Sequence, residues 1–406
     1  MTIIRISFLK MCLRPIPVIF ENQFGVRESI DAPCGKCIEC VQRDQNDWKC
    51  RMIEESKNWP YCYFFTLTYR DSSLPVNIVD CANGVIVDST RLQDACGADY
   101  EIMSTACKKD VQDLLKRFRV SLVRQRAKEL GYTMSYIKSD KLLYKRLKPN
   151  LKYFICAEYG PNGTHRPHYH GVIFTDVPQR YMSIMFADWH KRHGFVKWSR
   201  VVPRSDAVNA CSAPANYVSK YCCKGEFASR VEDIEAGFIQ KAWRISSKGL
   251  GASYVDKHRS YHIPSRRGYT SEEYVQTLLD RRFYFDGSYK YHLPRYYIER
   301  LYYRKKTEIK PVYNYEKKKF EAKKIYRYVS TSPVQLKIKA ALRELVDARY
   351  RQRIEEIRLA YPTYSDSEVY RKLAVLDRLS IEAREASLRS KLNRFYFDNS
   401  RKTPDL

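Results

Sequence analysis

The chain has 406 residues, of which 73 are Lys or Arg and 46 are Asp or Glu, giving a formal net charge of +27. That is two to three domains' worth of chain and enough for a buried core, and 44% hydrophobic with 14% aromatic residues excludes a wholly disordered basic tail protein. The charge suits a polyanion, either a nucleic acid or an acidic membrane surface, and the 33 tyrosines can stack on bases or act as nucleophiles.

Residues 1–60 hold a cysteine cluster and a polar helix candidate. Arg5, Lys10 and Arg14 interrupt the apolar patches of the first twenty residues, against a secretion signal. No later run reaches the roughly 18 apolar residues of a membrane span. Thirteen cysteines is an odd number, which favours reduced thiols or a metal site in a cytosol over a disulfide scaffold. A soluble, intracellular protein without a membrane partner is expected. Cys34, Cys37 and Cys40 follow a C-x2-C-x2-C pattern, with Cys50 ten residues on. Thiolates at this spacing could bind Zn²⁺ as a structural clip, with Cys50 or a distant cysteine as fourth ligand; a reduced, metal-free cluster is the alternative.

Residues 61–230 alternate strand and helix signals. Tyr61–Tyr69 is aromatic and β-branched and predicts a strand. Asp71–Thr105, about residues 71–105, predicts a long polar loop or small insertion. Val111, Leu114, Leu115, Phe118 and Leu122 mark one face of a helix over Lys108–Leu130, stopped by Gly131. Strands are predicted over Leu151–Tyr159 and His168–Phe174, joined by the turn Gly160–Gly163. A helix over Tyr181–His193, a strand over Gly194–Val202 and a short helix over Asn216–Lys224 complete this core. Residues 231–304 form a basic, aromatic extension. Residues 305–406 predict a charged helical region, its lysine run Lys317–Lys319 with Lys323 and Lys324 suited to phosphate contact and its final helices to a solvated face.

Two constellations carry chemistry. In a strand, His168 and His170 project to one side and Tyr169 to the other, while Glu158 closes the preceding strand and the turn folds it back beside them. Two imidazoles and one carboxylate can share a metal and leave coordination positions open. His165, in the turn, is the weaker candidate, and a packing role for the pair is the alternative. On a helix, Tyr217, Lys220, Tyr221 and Lys224 fall within about 100° of arc. Nearby cations favour the phenolate and balance an incoming phosphodiester. An ordinary amphipathic helix with half-buried tyrosines reads the same pattern without chemistry.

Taken together, His165-Arg-Pro-His-Tyr-His-Gly171, Glu158-Tyr-Gly160 and Tyr217 to Lys224 resemble the HUH endonucleases. Pro33-Cys-Gly-Lys-Cys37, Phe65-Thr-Leu-Thr-Tyr69, Ser247-Lys-Gly-Leu-Gly251 and Leu293-Pro-Arg-Tyr296 narrow the likeness. The chain is similar, over about Pro33–Tyr297, to the two-tyrosine replication initiators of microviruses, most closely of gokushovirus type. The resemblance implies an α+β fold, a central antiparallel sheet flanked by helices with the first motif strand beside the His strand, followed here by a helical basic C-terminal region. It implies rolling-circle initiation: a tyrosine nicks one strand at the origin, keeps the 5′-phosphate and frees a 3′-hydroxyl for the host polymerase.

Carried over, Tyr217 and Tyr221 are nucleophiles, Lys220 positions a phenol or phosphate, and Lys224 and Arg166 contact DNA. His168, His170 and Glu158 hold Mg²⁺ or Mn²⁺. Single-stranded origin DNA, a host helicase and a DNA polymerase are the implied partners, in the cytoplasm of a bacterial host. A plasmid initiator or a transposase of the same superfamily, and a non-enzymatic single-stranded-DNA-binding protein, are the competing readings.

Overall fold

The computed structural model describes residues 12–21, 27–80, 82–92, 100–160, 165–201, 215, 218, 231–287, 289–314, 319–329 and 333–400. In chain order the elements begin with β1 (Ile16–Glu21), β2 (Arg27–Ala32), α1 (Ile38–Ser56), β3 (Tyr61–Thr68), β4 (Pro75–Asp80), β5 (Val85–Arg91) and β6 (Tyr100–Ser104). There follow α2 (Lys108–Glu129), α3 (Met134–Ser139), α4 (Lys141–Leu147), β7 (Leu151–Tyr159), β8 (Pro167–Thr175), α5 (Gln179–Arg192) and β9 (Val196–Arg200). The next are α6 (Val231–Glu235), β10 (Arg244–Ser246), α7 (Ser253–His262), α8 (Ser271–Asp280), β11 (Phe283–Asp286) and β12 (Tyr289–His292). Last come α9 (Arg295–Tyr302), β13 (Arg304–Asn314), β14 (Lys319–Val329), α10 (Pro333–Ala360) and α11 (Asp366–Ser400). Among the described residues no helix is long and apolar enough to cross a membrane.

The chain divides into two compact units, one of residues 45–257 with 284–294 and one of residues 1–44, 258–283 and 295–406. The first is built on a five-stranded sheet in the order β10-β7-β8-β3-β9, with every neighbouring pair antiparallel. This is the expected α+β architecture, with the first motif strand β3 hydrogen-bonded to the His strand β8. One face of the sheet (Phe65, Leu67, Ile155, Tyr169, Ile173) packs on the apolar stripes of α2 and α5, which include Leu114, Phe118, Met182 and Trp189. The other face (Cys62, Phe154, Cys156, Val172, Phe174) packs on Met52 and Ile53 of α1 and on Leu250. Each strand therefore alternates between two cores, and the site residues fall on the second face.

Three packing details explain motifs noted in the sequence. A Cβ on Gly171 would lie 2.3 Å from the Phe65 ring and 3.0 Å from Ile155, so only glycine lets the ring cross the strand. Gly171→Ala is expected to destabilise the protein by about 3 kcal/mol, the upper end of overpacking costs, read as a lower urea midpoint at unchanged slope. Glu55, 2% exposed, accepts hydrogen bonds from the Trp59 indole N–H (2.7 Å), the Gly251 N–H (2.6 Å) and Lys152 Nζ (3.0 Å). That buried carboxylate pins the Ser247–Gly251 loop, where Gly249 and Gly251 both have positive φ, to α1 and β7. Tyr69 donates to Asp110 (2.6 Å), which also takes the Arg91 guanidinium (2.9 Å). Burial works against the charge of Asp110, but Arg91 and the Tyr69 hydroxyl outweigh it and hold the carboxyl below its usual value.

The region expected as a loop over 71–105 is instead largely a three-stranded antiparallel sheet, β5-β4-β6. Its β-branched runs (Val76, Ile78, Val79; Val85, Ile86, Val87) outweigh the flanking polar residues, and Val76, Val79 and Met103 join the core against the first face.

In the second unit the predicted charged helical region begins with an antiparallel β-hairpin of β13 and β14, in register from Arg304↔Val329 to Asn314↔Lys319. Lys323 and Lys324 therefore lie on a strand. The helices expected from about Pro333 are present as α10 and α11, which meet through Ile357, Val369 and Leu373.

Candidate active site

Register places the predicted metal ligands. On β7 and β8, Glu158 stands opposite His168 and Cys156 opposite His170, while on β3 Thr66 stands opposite His170 and Thr68 opposite His168. Directly opposed residues of an antiparallel pair share a face. The carboxylate, both imidazoles and both threonines therefore project from one surface, and Tyr169 from the other.

His170 and Glu158 are 4% and 6% exposed, so their polar atoms need partners inside the protein. His170 Nε2 lies 3.0 Å from Glu158 Oε1, and Nδ1 lies 3.0 Å from the Thr66 hydroxyl. One tautomer serves both contacts: Nε2–H donates to the carboxylate, and Nδ1 accepts from Thr66, an assignment made from the network. Thr66 is a residue the sequence reading did not single out. Its signal was present as a polar position alternating with Phe65 and Leu67 and facing the histidine in register.

The donor set fits a hard divalent ion in part. Two atoms bound side by side to an octahedral ion at about 2.1 Å lie about 3.0 Å apart, which matches the Glu158–His170 separation. His168 shares the face without closing the group. Among the described residues, the three do not form a set whose ligating atoms all lie within 4.8 Å of one another. Its Nε2 lies 3.5 Å from where a Cβ on Gly160 would stand, so the ring rests against the strand end at that glycine. His165 lies in the turn with φ of 45°, its Nδ1 3.2 Å from the Gly160 carbonyl. Arg166 is engaged within the chain, donating to the Asp71 carboxylate and to the Tyr69 carbonyl (3.0 Å).

Tyr217, Lys220, Tyr221 and Lys224 lie outside the described residues. Ala215 and Val218 are described, are helical and are fully buried. Both pack with Cys156, Val172 and Phe174, on the face that carries the histidines. The Cys156 thiol sits 3.5 Å from the His170 carbonyl and 3.6 Å from the Val218 carbonyl. One side chain thus touches the backbone of the metal-face strand and the backbone next to Tyr217 in sequence.

Phenols in the first core are poor rivals for the nucleophile. Burial pushes Tyr69 and Tyr169 well above the ordinary phenol value, and the carboxylate of Asp110 adds to the effect at both. Both are held protonated.

The structure brings Cys34, Cys37 and Cys40 together, and the fourth thiol beside them is Cys12. Cys50, expected as a possible fourth ligand, is not brought to them. It is fully buried ten residues beyond Cys40 on α1, about 15 Å away by helical rise.

Residues 62–226 match the family model of replication-associated protein ORF2. The match runs from β3 through the sheet and includes the Tyr217–Lys224 segment, and it links that part of the chain to DNA replication. No curated protein and no solved structure matches the chain.

Proposed function

We propose that the chain initiates rolling-circle DNA replication by nicking one strand of an origin with a tyrosine, in the manner of the microvirus initiators of gokushovirus type. The reading is carried by one juxtaposition: the segment containing Tyr217 is seated, through Ala215 and Val218, on the sheet face that bears Glu158, His168 and His170. The replication-associated match spans the same residues.

In the proposed reaction the phenol oxygen of Tyr217 or Tyr221 attacks the scissile phosphorus and gives up its proton. The P–O3′ bond breaks, the 3′-oxygen leaves and takes up a proton, and the 5′-phosphate stays on the enzyme as a phosphotyrosine. Bond energy is conserved in that ester, so the free 3′-hydroxyl can later reverse the step and rejoin a strand. Lys220 would neutralise the phosphate, and the second tyrosine would cleave the regenerated origin while the first holds the old end. Glu158 and His170, with His168, would hold Mg²⁺ or Mn²⁺, which when bound polarises phosphate oxygens. Thr66 and Glu158 hold the His170 ring in place.

Beside the same face, Trp48 packs on Phe154 with ring centroids 4.7 Å apart, and the guanidinium groups of Arg51 and Arg244 lie 4.1 and 5.2 Å from its ring. Aromatic rings flanked by cations suit single-stranded DNA. A host polymerase and helicase, in a bacterial cytoplasm, complete the proposal.

The deciding experiment incubates the protein with 3′-labelled single-stranded origin DNA and Mn²⁺, then digests it and sequences the labelled peptide. A phosphotyrosine at Tyr217 or Tyr221 is expected. A mobility shift without covalent attachment would leave a non-enzymatic DNA-binding protein, and an adduct at another residue would refute the assignment.

A further inference from the structure

Four thiols outside the sheet site converge near the start of the chain. Cys12 precedes β1, Cys34 and Cys37 lie between β2 and α1, and Cys40 is in the first turn of α1. Their sulfurs all lie within 4.8 Å of one another, with Cys12–Cys37 at 3.7 Å and Cys34–Cys40 at 3.9 Å. A disulfide would bring two sulfurs to about 2.05 Å, and all four cysteines are free. Four thiolates bound tetrahedrally to one ion at about 2.3 Å stand about 3.8 Å apart along each edge. The two measured edges bracket that value.

We infer that Cys12, Cys34, Cys37 and Cys40 form a closed, structural Zn²⁺ site. The backbone is arranged for thiolates. N–H groups of Cys34, Lys36, Cys37 and Leu13 point at sulfur, at 3.3 Å to Cys12, 3.4 and 3.2 Å to Cys34, and 3.4 Å to Cys37. Such donors spread the negative charge of metal-bound sulfur and orient it. Gly35, at φ of +76°, makes the turn that aims those N–H groups, with nothing within 4 Å of where its Cβ would be. Soft sulfur ligands in a four-coordinate arrangement select zinc over Mg²⁺ or Mn²⁺, and four protein ligands leave no position for substrate.

The role follows from what the ligands enclose. The hairpin of β1 and β2, two strands of six residues, lies between Cys12 and Cys34, and a lone two-stranded hairpin is marginally stable in water. The ion would close that loop and fasten it to the first turn of α1, where Glu39 pairs with Arg384 of α11. This inference does not depend on the nicking proposal.

The test measures zinc in the purified full-length protein by inductively coupled plasma mass spectrometry after exchange into metal-free buffer. One zinc per chain is expected, falling at least severalfold in Cys12→Ser and unchanged in Cys107→Ser, which removes a thiol outside the cluster. Should Cys12→Ser fail to fold, cobalt replacement in the wild-type chain gives a second readout. The thiolate-to-cobalt charge transfer and intense visible bands of a tetrahedral four-sulfur site are expected. Wild-type protein without stoichiometric zinc, iron in its place, a cobalt spectrum lacking those bands, or full zinc retention in folded Cys12→Ser would each overturn the assignment.

Discussion

Replacing both Tyr217 and Tyr221 by Phe is expected to abolish the covalent DNA adduct, a loss of at least about a thousandfold, as for removal of an enzyme's nucleophile. Each single replacement is expected to leave partial cleavage, because either phenol can reach the phosphate. Phe keeps the ring and removes only the attacking oxygen, so packing of the segment through Ala215 and Val218 should survive. Equal melting temperatures would verify this. The readout is a 3′-labelled oligonucleotide on a denaturing gel, where the labelled fragment migrates with protein. Undiminished adduct in the double variant would eliminate these two residues as nucleophiles, and the buried Tyr69 and Tyr169 are unsuited to replace them.

The second large effect is expected at His170. His170→Ala should lower cleavage by about 10²–10⁴-fold, the range for removing a group that stabilises charge in the transition state. DNA binding, supported by a net charge of +27, should persist and weaken with salt as in the wild type. Glu158 loses its 3.0 Å partner in this variant, so a stability loss of about 1–3 kcal/mol is also expected. Assays should therefore be run well below the variant's melting temperature. Chelation should silence the wild type and Mn²⁺ should restore it, while the variant stays inactive in both conditions. If binding vanished as fully as cleavage, the histidine would be structural.

Much of the sheet was legible in the sequence because its signals are local. The aromatic, β-branched run at Tyr61, the turn glycines after Tyr159 and the helical stripe of Val111 to Leu122 each declare an element within a few residues. Glu158 and His170 were legible as neighbours for the same reason: a short turn between two strands leaves little freedom in register. What escaped depended on partners distant in sequence. The strands of residues 75–104 were masked by polar flanks, and their apolar sides find the core only in three dimensions. The hairpin at 304–329 carries a charge pattern that a helix would also tolerate. Cys12 stands 22 positions before Cys34, and only the folding back of β1 on β2 brings the two together. Thr66 became visible once β3 was paired with β8.

The two-residue repeat of β8 separates two kinds of evolutionary constraint along one short stretch of chain. Tyr169 and Gly171 answer to the rings and helices beneath the sheet, whereas His168 and His170 answer to whatever phosphate arrives above it. Drift in substrate preference can therefore proceed through the upper positions while the lower ones keep the scaffold folded. A lineage could exchange its recognition sequence without first surrendering its stability.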